Sequence, residues 1–428
     1  MSQNILRQAT RLTRPDSHID AGGPVADDRP AVPGKHVHPD PTLVSSLRHF
    51  LLGNYVNVLL VFIPLGFVAH YVGWAGVLIF VFNFLAIIPL ASLLGYATEE
   101  IALRFGETIG GLLNATFGNA VELIIAIVAV KDGMIRVVQA SLLGSILSNL
   151  LLVLGLCFLL GGFRYSEQSF NLTAAQNYAS LLALSCLSLL IPAAFWLTLT
   201  NHEKADQAVL RLSHIAAIFM LLVYVFYLYF QLRTHAHLYE AGNEEKAPAA
   251  AAAAADDDDD DTEYATLTLP FAAVALVLVT VLVAFHAEML VSSIEAITKG
   301  GSLSDTFVGL ILLPIVGNAA EHMTAVTTAM KNKMDLAIGV ALGSSMQIAL
   351  LVTPLLVIIG WAIGQPMTLF FHGFETVVLF VSVLITNYLI MDGKSNWLEG
   401  MMLLSTYAIV AVAFFYYPDE DKPSSTGH

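Results

Sequence analysis

The stretch GNAVELIIAIVAV, Gly118–Val130, places an asparagine and a glutamate among residues that otherwise suit a lipid interior. An ionisable group at bilayer depth costs about 2.5–3.5 kcal/mol on insertion scales, so Glu122 is a functional-site candidate by default. The rest of the chain supports that setting. Apolar residues make up 57% of the 428 and charged residues 12%, against roughly a quarter charged in soluble domains. Apolar runs of about twenty residues follow one another, each long enough to cross a hydrocarbon core of roughly 30 Å. The expected fold class is therefore an all-α polytopic membrane protein.

Eleven spans are expected, near 50–70, 74–103, 111–130, 137–161, 172–199, 211–232, 266–298, 305–330, 336–363, 372–391 and 397–417. The second and seventh exceed the bilayer thickness and must tilt or project beyond it. The first forty-nine residues are polar and carry six Lys or Arg (Arg7, Arg11, Arg14, Arg29, Lys35, Arg48) with no apolar leader core. They are expected to form a disordered arm without a cleavable signal. The basic excess in this arm favours a cytosolic N-terminus. Arg104, Lys131 and Arg164 read as loop charges. Cys157 and Cys186 lie inside apolar runs and imply no disulfide framework. A net charge of −15 argues against nucleic-acid binding.

The opening stretch has a partner. GNAVE at 118–122 recurs as GNAAE at 317–321, and LLGSILSN at 142–149 as ALGSSMQI at 341–348, both 199 residues on. Upstream, Glu99 aligns with Glu295 once three residues are inserted in the second half. Each copy then holds five spans, and an odd number makes the second copy enter from the opposite face. This is the inverted-repeat plan of secondary transporters, with the site near the midplane. The expected organisation is an N-terminal arm at 1–49, an extra helix at 50–73, a first repeat at 74–233, a linker at 234–265, a second repeat at 266–417 and a tail at 418–428. The linker contains an alanine run followed by Asp256, Asp257, Asp258, Asp259, Asp260 and Asp261, whose plainest reading is a solvated cytosolic segment.

On a helix Asn119 and Glu122 share a face, as do Asn318 and Glu321. Glycine precedes each asparagine, and Pro314 interrupts the ladder in the second copy. Such breaks free backbone carbonyls, tolerated in membranes only where buried or lining a cavity. Two carboxylates, two amide oxygens and carbonyls form an all-oxygen set suited to a hard cation, calcium above all. Ser145 and Ser148, Ser344 and Gln347, and Asn149 add neutral oxygens. A serine or asparagine in such a bundle also commonly bonds a neighbouring helix. Glu122 and Glu321 facing each other without an ion cannot both stay charged cheaply. An entering cation must displace their protons, and returning protons must expel it, which is the simplest physical basis for cation/proton antiport. Glu99, Glu295 and His322 are candidates for proton access or gating. His286, Glu288, His372 and Glu375 have no assigned role. An intramembrane hydrolase is disfavoured, since no H-E-x-x-H is present.

These two motifs closely resemble the paired repeats of the cation/proton exchanger family, within the calcium/cation antiporter superfamily, over spans 2 to 11. The resemblance implies a calcium/proton antiporter, typically of fungal or plant vacuoles, moving cytosolic calcium into an acidic lumen. No cofactor is implied: calcium and protons are the substrates, and the bilayer is the surroundings. By position, Glu122 and Glu321 would bind calcium with motif backbone at Gly118, Ala120, Gly317 and Ala319. Asn119, Asn318, Ser145, Ser344 and Gln347 would line the site. The aspartate run stands where the family has a regulatory acidic helix, without that helix's spacing of acids. A sodium-coupled calcium exchanger and a manganese/proton antiporter are the rival members. Stoichiometry and homo-oligomerisation are left open.

Overall fold

The two long helices that open the two repeats decide the arrangement. In the computed structural model, which describes residues 41–199, 202–239, 265–298 and 303–417, they are α3 (Gly76–Phe117) and α9 (Leu269–Ser292), and they pack against each other more extensively than any other pair. Before α3 come α1 (Leu43–Leu52), a 3₁₀ segment (Tyr55–Val61) and α2 (Phe62–Val72). After it come α4 (Ala120–Lys131), α5 (Ile135–Leu147), α6 (Leu154–Arg164), α7 (Leu172–Thr198) and α8 (His202–Tyr229). The second repeat continues through α10 (Ile294–Thr298), α11 (Asp305–Phe307), α12 (Leu313–Gly317), α13 (Ala319–Met330), α14 (Met334–Gln347), α15 (Thr353–Ile363), α16 (Gly373–Leu389) and α17 (Trp397–Phe415). Two-residue strands at Gln168–Ser169 and Lys394–Ser395 pair antiparallel.

Residues eight apart in a straight helix are about 12 Å apart. Yet a Cβ on Gly110 would lie 2.7 Å from the carbonyl oxygen of Ala102. The chain therefore doubles back within α3, separating a span at Gly76–Phe105 from the segment leading to α4. Among the described residues eight helices are long and apolar enough to cross a membrane, or nine if the bent pair Asp305–Gly317 and Ala319–Met330 is one span. The expected eleven is not reached on that measure. The segment ending in α4 is interrupted at Gly118–Asn119, and α16 has only 17 residues.

The duplication is visible in the backbone. Asn119 (φ −101°, ψ 22°) and Asn318 (φ −92°, ψ 5°) leave helical geometry at the same point of their motifs. Gly133 (φ 75°) and Asn332 (φ 61°), again 199 apart, make the left-handed turns that follow α4 and α13; asparagine tolerates this region better than other side-chain-bearing residues. Wide π-helical turns at Ser148–Val153 and Ile348–Val352 join α5 to α6 and α14 to α15. The α5–α6 span is surrounded by other helices and is the most buried of the candidate spans among the described residues, and it carries its polar residues Gln139, Ser145, Ser148 and Asn149 inward. Successive spans alternate in direction. We call the side bearing Asn54, Glu99, Asn171 and Tyr239 the N face and the side bearing Gly73, Gln365 and Tyr417 the C face.

Two expectations are corrected. The arm is not without structure to residue 49: Thr42 and Ser45 form a capping box that starts α1, and the first span begins at Tyr55 rather than 50. Helix α1 is fastened at Ser46, whose Oγ accepts from Thr268 N, and at its end by Asn57 Nδ2 bonding the Phe50 and Leu51 carbonyls. Arg104 is no idle loop charge, since its Nη2 donates to the Leu267 carbonyl. Beside it, buried Glu100 accepts from Thr266 N (3.0 Å), Thr266 Oγ1 (2.6 Å) and Leu267 N (2.9 Å). The start of the second repeat is thus bound to the first by a carboxylate. Glu100→Gln turns an acceptor into a donor facing donors. It should lower stability by about 1.5–3 kcal/mol, seen as a reduced melting temperature in detergent.

Candidate functional site

Helices α4 and α13 both begin in mid-bundle and run to opposite faces. Glu122 and Glu321 sit in their first turns, where the positive helix ends favour negative charge. The helices preceding them end at Phe117 and Gly317, so carbonyl-bearing ends point towards the same region. The inverted repeat therefore brings two donor-rich ends, two acceptor-rich ends and two carboxylates together.

The motifs meet directly. A Cβ on Gly317 would lie 2.8 Å from Glu122 Oε1, so only glycine lets this carboxylate rest against the second motif. Glu122 and Glu321 are close enough for their charges to act on one another, and Ser344 stands beside Glu321 as well. A polar relay crosses between the repeats. Asn149 Nδ2 donates to Ser344 Oγ (3.2 Å), Ser344 Oγ to Asn119 Oδ1 (3.1 Å), and Asn119 Nδ2 to Gln347 Oε1 (2.7 Å). Glu122 Oε1, Glu321 Oε2, Asn149 Oδ1 and both polar atoms of Asn318 are buried without a hydrogen-bond partner. Leaving buried polar groups unpaired is expensive, and the unpartnered carboxylate oxygens of Glu122 and Glu321 are acceptors that a cation would satisfy. Among the described residues no three His, Cys, Asp or Glu side chains gather in a metal-binding group. The acceptors are instead carboxylate and amide oxygens, suited to a hard cation.

A cavity of about 910 Å³ descends to this point from the N face. Asn54, Glu99, Asn171, Tyr239 and Asp335 line its outer part, with Gly118, Gly317, Glu321, Ser344 and Gln347 at its inner end. Exposed Thr324 and half-buried Thr328, both on α13, also line the cavity. Glu321 faces the cavity, whereas Glu122 lies behind Gly317 and is 8% exposed.

Ser145, Ala120 and Asn119 are buried at the site's level, while Ala319 is half-buried. His322 turns away towards Ser148, with Nε2 3.4 Å from its Oγ. Glu99 is exposed within the cavity, and Glu295 is exposed on α10, outside the cavity lining. Asp256 to Asp261 lie outside the described residues. The sequence offered Asn149 both as a neutral oxygen for the site and as a helix-pairing residue, and its amide nitrogen begins the relay. Its motif register was the available signal, blurred because its counterpart, Ile348, is apolar.

Residues without an assigned role also find partners. His286 Nδ1 lies 2.6 Å from Asn83 Oδ1, tying α9 to α3. Fully buried Glu375 pairs with Arg136 at 2.8 Å on the C face. Beside them Gln139 Nε2 donates to the Thr368 and Phe370 carbonyls. Nothing in local sequence pairs residues 239 apart.

Comparison with known proteins identifies the family. The family described as sodium/calcium exchanger protein matches residues 75–233 and 271–416. The chain is 48% identical over 376 residues to a vacuolar calcium ion transporter of Schizosaccharomyces pombe, covering 88% of each. It is 50% identical over 362 residues to a Ca²⁺/H⁺ antiporter of Synechocystis, covering 84% of this chain and 97% of that one. The solved structure of native YfkE matches with a TM-score of 0.70 and 37% identity, over 85% of this chain and 100% of the other. With motifs, architecture and these likenesses in agreement, the chain is an integral membrane transporter that belongs to the sodium/calcium exchanger family, alongside the cation/proton exchangers.

Proposed function

We propose that this chain is a secondary active calcium/proton antiporter working by alternating access. The observation that carries this reading is the meeting of Glu122 and Glu321, one from each inverted half, with unpaired buried oxygens at the inner end of a one-sided cavity. Calcium entering from the N face meets Glu321 first, then gains Glu122, the motif amides and the helix-end carbonyls. Two desolvated carboxylates this close hold a divalent ion or protons, since either neutralises the pair and the two together overload it. Protons arriving from the opposite side then release the ion there. The relay through Asn149, Ser344, Asn119 and Gln347 ties the two motifs together beside the pair. Glu99 sits at the mouth, where it can pass protons or attract cations, and Glu295 holds the related position towards the C face.

The N face is then cytosolic and the C face lumenal, and the residence is the vacuolar membrane, in line with relatives named as vacuolar transporters. The cytosolic linker with its aspartate run would feed cations to the mouth. The test is uptake by the purified chain in vesicles with an imposed pH gradient and no sodium. Calcium should enter, driven by protons alone. Uptake that requires sodium would replace this reading with a sodium-coupled exchanger, and parallel assays with manganese define the selectivity.

A further inference from the structure

The inverted repeat allows one face to be read from the other, because equivalent segments are packed together on the C face and apart on the N face. On the C face, a Cβ on Gly144 would lie 2.0 Å from the Leu310 carbonyl oxygen, and one on Gly309 would lie 2.8 Å from Ala140 Cβ and 2.9 Å from the Val137 oxygen. Helix α5 and the turn 308–312 thus touch backbone to backbone, and only glycine permits it. The Arg136–Glu375 ion pair and the Gln139 bonds to Thr368 and Phe370 lie on the same face.

Moved by the 199-residue offset, Gly309 and Leu310 correspond to Gly110 and Gly111, and Ala140 and Gly144 to Gly339 and Gly343. On the N face these surfaces do not meet. A Cβ on Gly339 would have nothing within 4 Å, and one on Gly343 would meet only the Tyr178 ring at 3.7 Å. Gly111, Gly339 and Gly343 all line the cavity.

We infer that Gly339 and Gly343 are the surface on which the N-face cavity shuts. In the other state, the backbone at Gly110–Gly111 seats on them as Gly309–Leu310 seats on Ala140 and Gly144 here, while the C-face seam parts. The inference rests on the alternating-access reading and adds which residues do the closing. It also explains two glycines that meet no close neighbour and occupy no turn: neither has a positive φ, and both lie inside α14, where glycine is unfavourable by roughly 0.5–1 kcal/mol relative to alanine.

The test is Gly339→Leu in the full chain, with Gly339→Ala as the graded variant. The leucine enters open space in the state described, so the protein should keep its melting temperature and bind calcium in detergent with unchanged affinity. Proton-driven uptake should fall by about tenfold to a hundredfold, the penalty that overpacking places on the closed state, and less for alanine. Thr328→Cys, in the cavity wall, gives a second readout with a membrane-impermeant maleimide; the native Cys157 and Cys186 are buried. Its labelling from the N face should respond to calcium and pH gradients in the Gly339 background and become insensitive to them with leucine. Wild-type uptake by Gly339→Leu, labelling that still responds, or a parallel loss of calcium binding would each overturn the closing role. Failure of the unsubstituted chain to exchange calcium for protons would overturn the antiport reading itself.

Discussion

Glu321→Gln should abolish calcium/proton exchange, and Glu122→Gln should do the same, with each variant folding normally. The amide preserves volume, so the packing against Gly317 and beside Ser344 survives. It cannot supply the charge that a buried divalent ion needs, nor give up a proton. With one carboxylate gone the bound divalent cation is left short of a charged ligand, which should weaken calcium binding by about 10²–10³-fold, or about 3–4 kcal/mol. The two variants should nevertheless differ in one respect. Glu321 lines the N-face cavity and Glu122 does not, so Glu321→Gln should weaken the first encounter with calcium more severely. Equilibrium binding of ⁴⁵Ca to the detergent-solubilised variants, together with vesicle uptake, checks this. Exchange at the native rate by either variant would refute the site.

Gly317→Val is the second large effect, and its mechanism is displacement. The atoms a Cβ would meet at Gly317 are Oε1, Cδ and Cγ of Glu122, at 2.8, 3.1 and 3.2 Å. A flexible carboxylate can move aside, so the fold tolerates the change while the pair is pushed apart. Valine should therefore remove most transport with a small change in melting temperature, and alanine should fall between. Gly144→Ala is the contrast. There the obstacle is the Leu310 backbone at 2.0 Å, which cannot rotate away, so the loss should appear first in stability, by about 1–3 kcal/mol or more. Thermal unfolding and uptake measured on both variants separate the two kinds of glycine.

Much of this was legible in the chain because membranes punish ambiguity. Apolar runs could only be helices, and Glu122 and Glu321 stood out because charge at that depth needs a reason. The repeated motif carried Asn119, Asn318, Ser344 and Gln347 with it. Span boundaries were less legible: the interruption at Gly118–Asn119, the reversal near Gly110 and the start of α1 depend on caps and close packing rather than on hydropathy. Glu100 and Arg104 were unreadable for a related reason. Their partners, Thr266 and Leu267, lie more than 160 residues away, and no local pattern marks them.

The sequence by itself determined that this is a helical membrane protein, duplicated with opposed orientation, holding one carboxylate in each half. Those conclusions follow from composition, parity and spacing, which are properties of the chain alone. Which carboxylate faces water, which face is sealed and which glycines keep two helices in contact were decided only by the tertiary structure. The reason is that both repeats carry nearly the same local instructions. In this structure the packing is tight at the C face and open at the N face, and that difference is made by contacts between residues some two hundred positions apart.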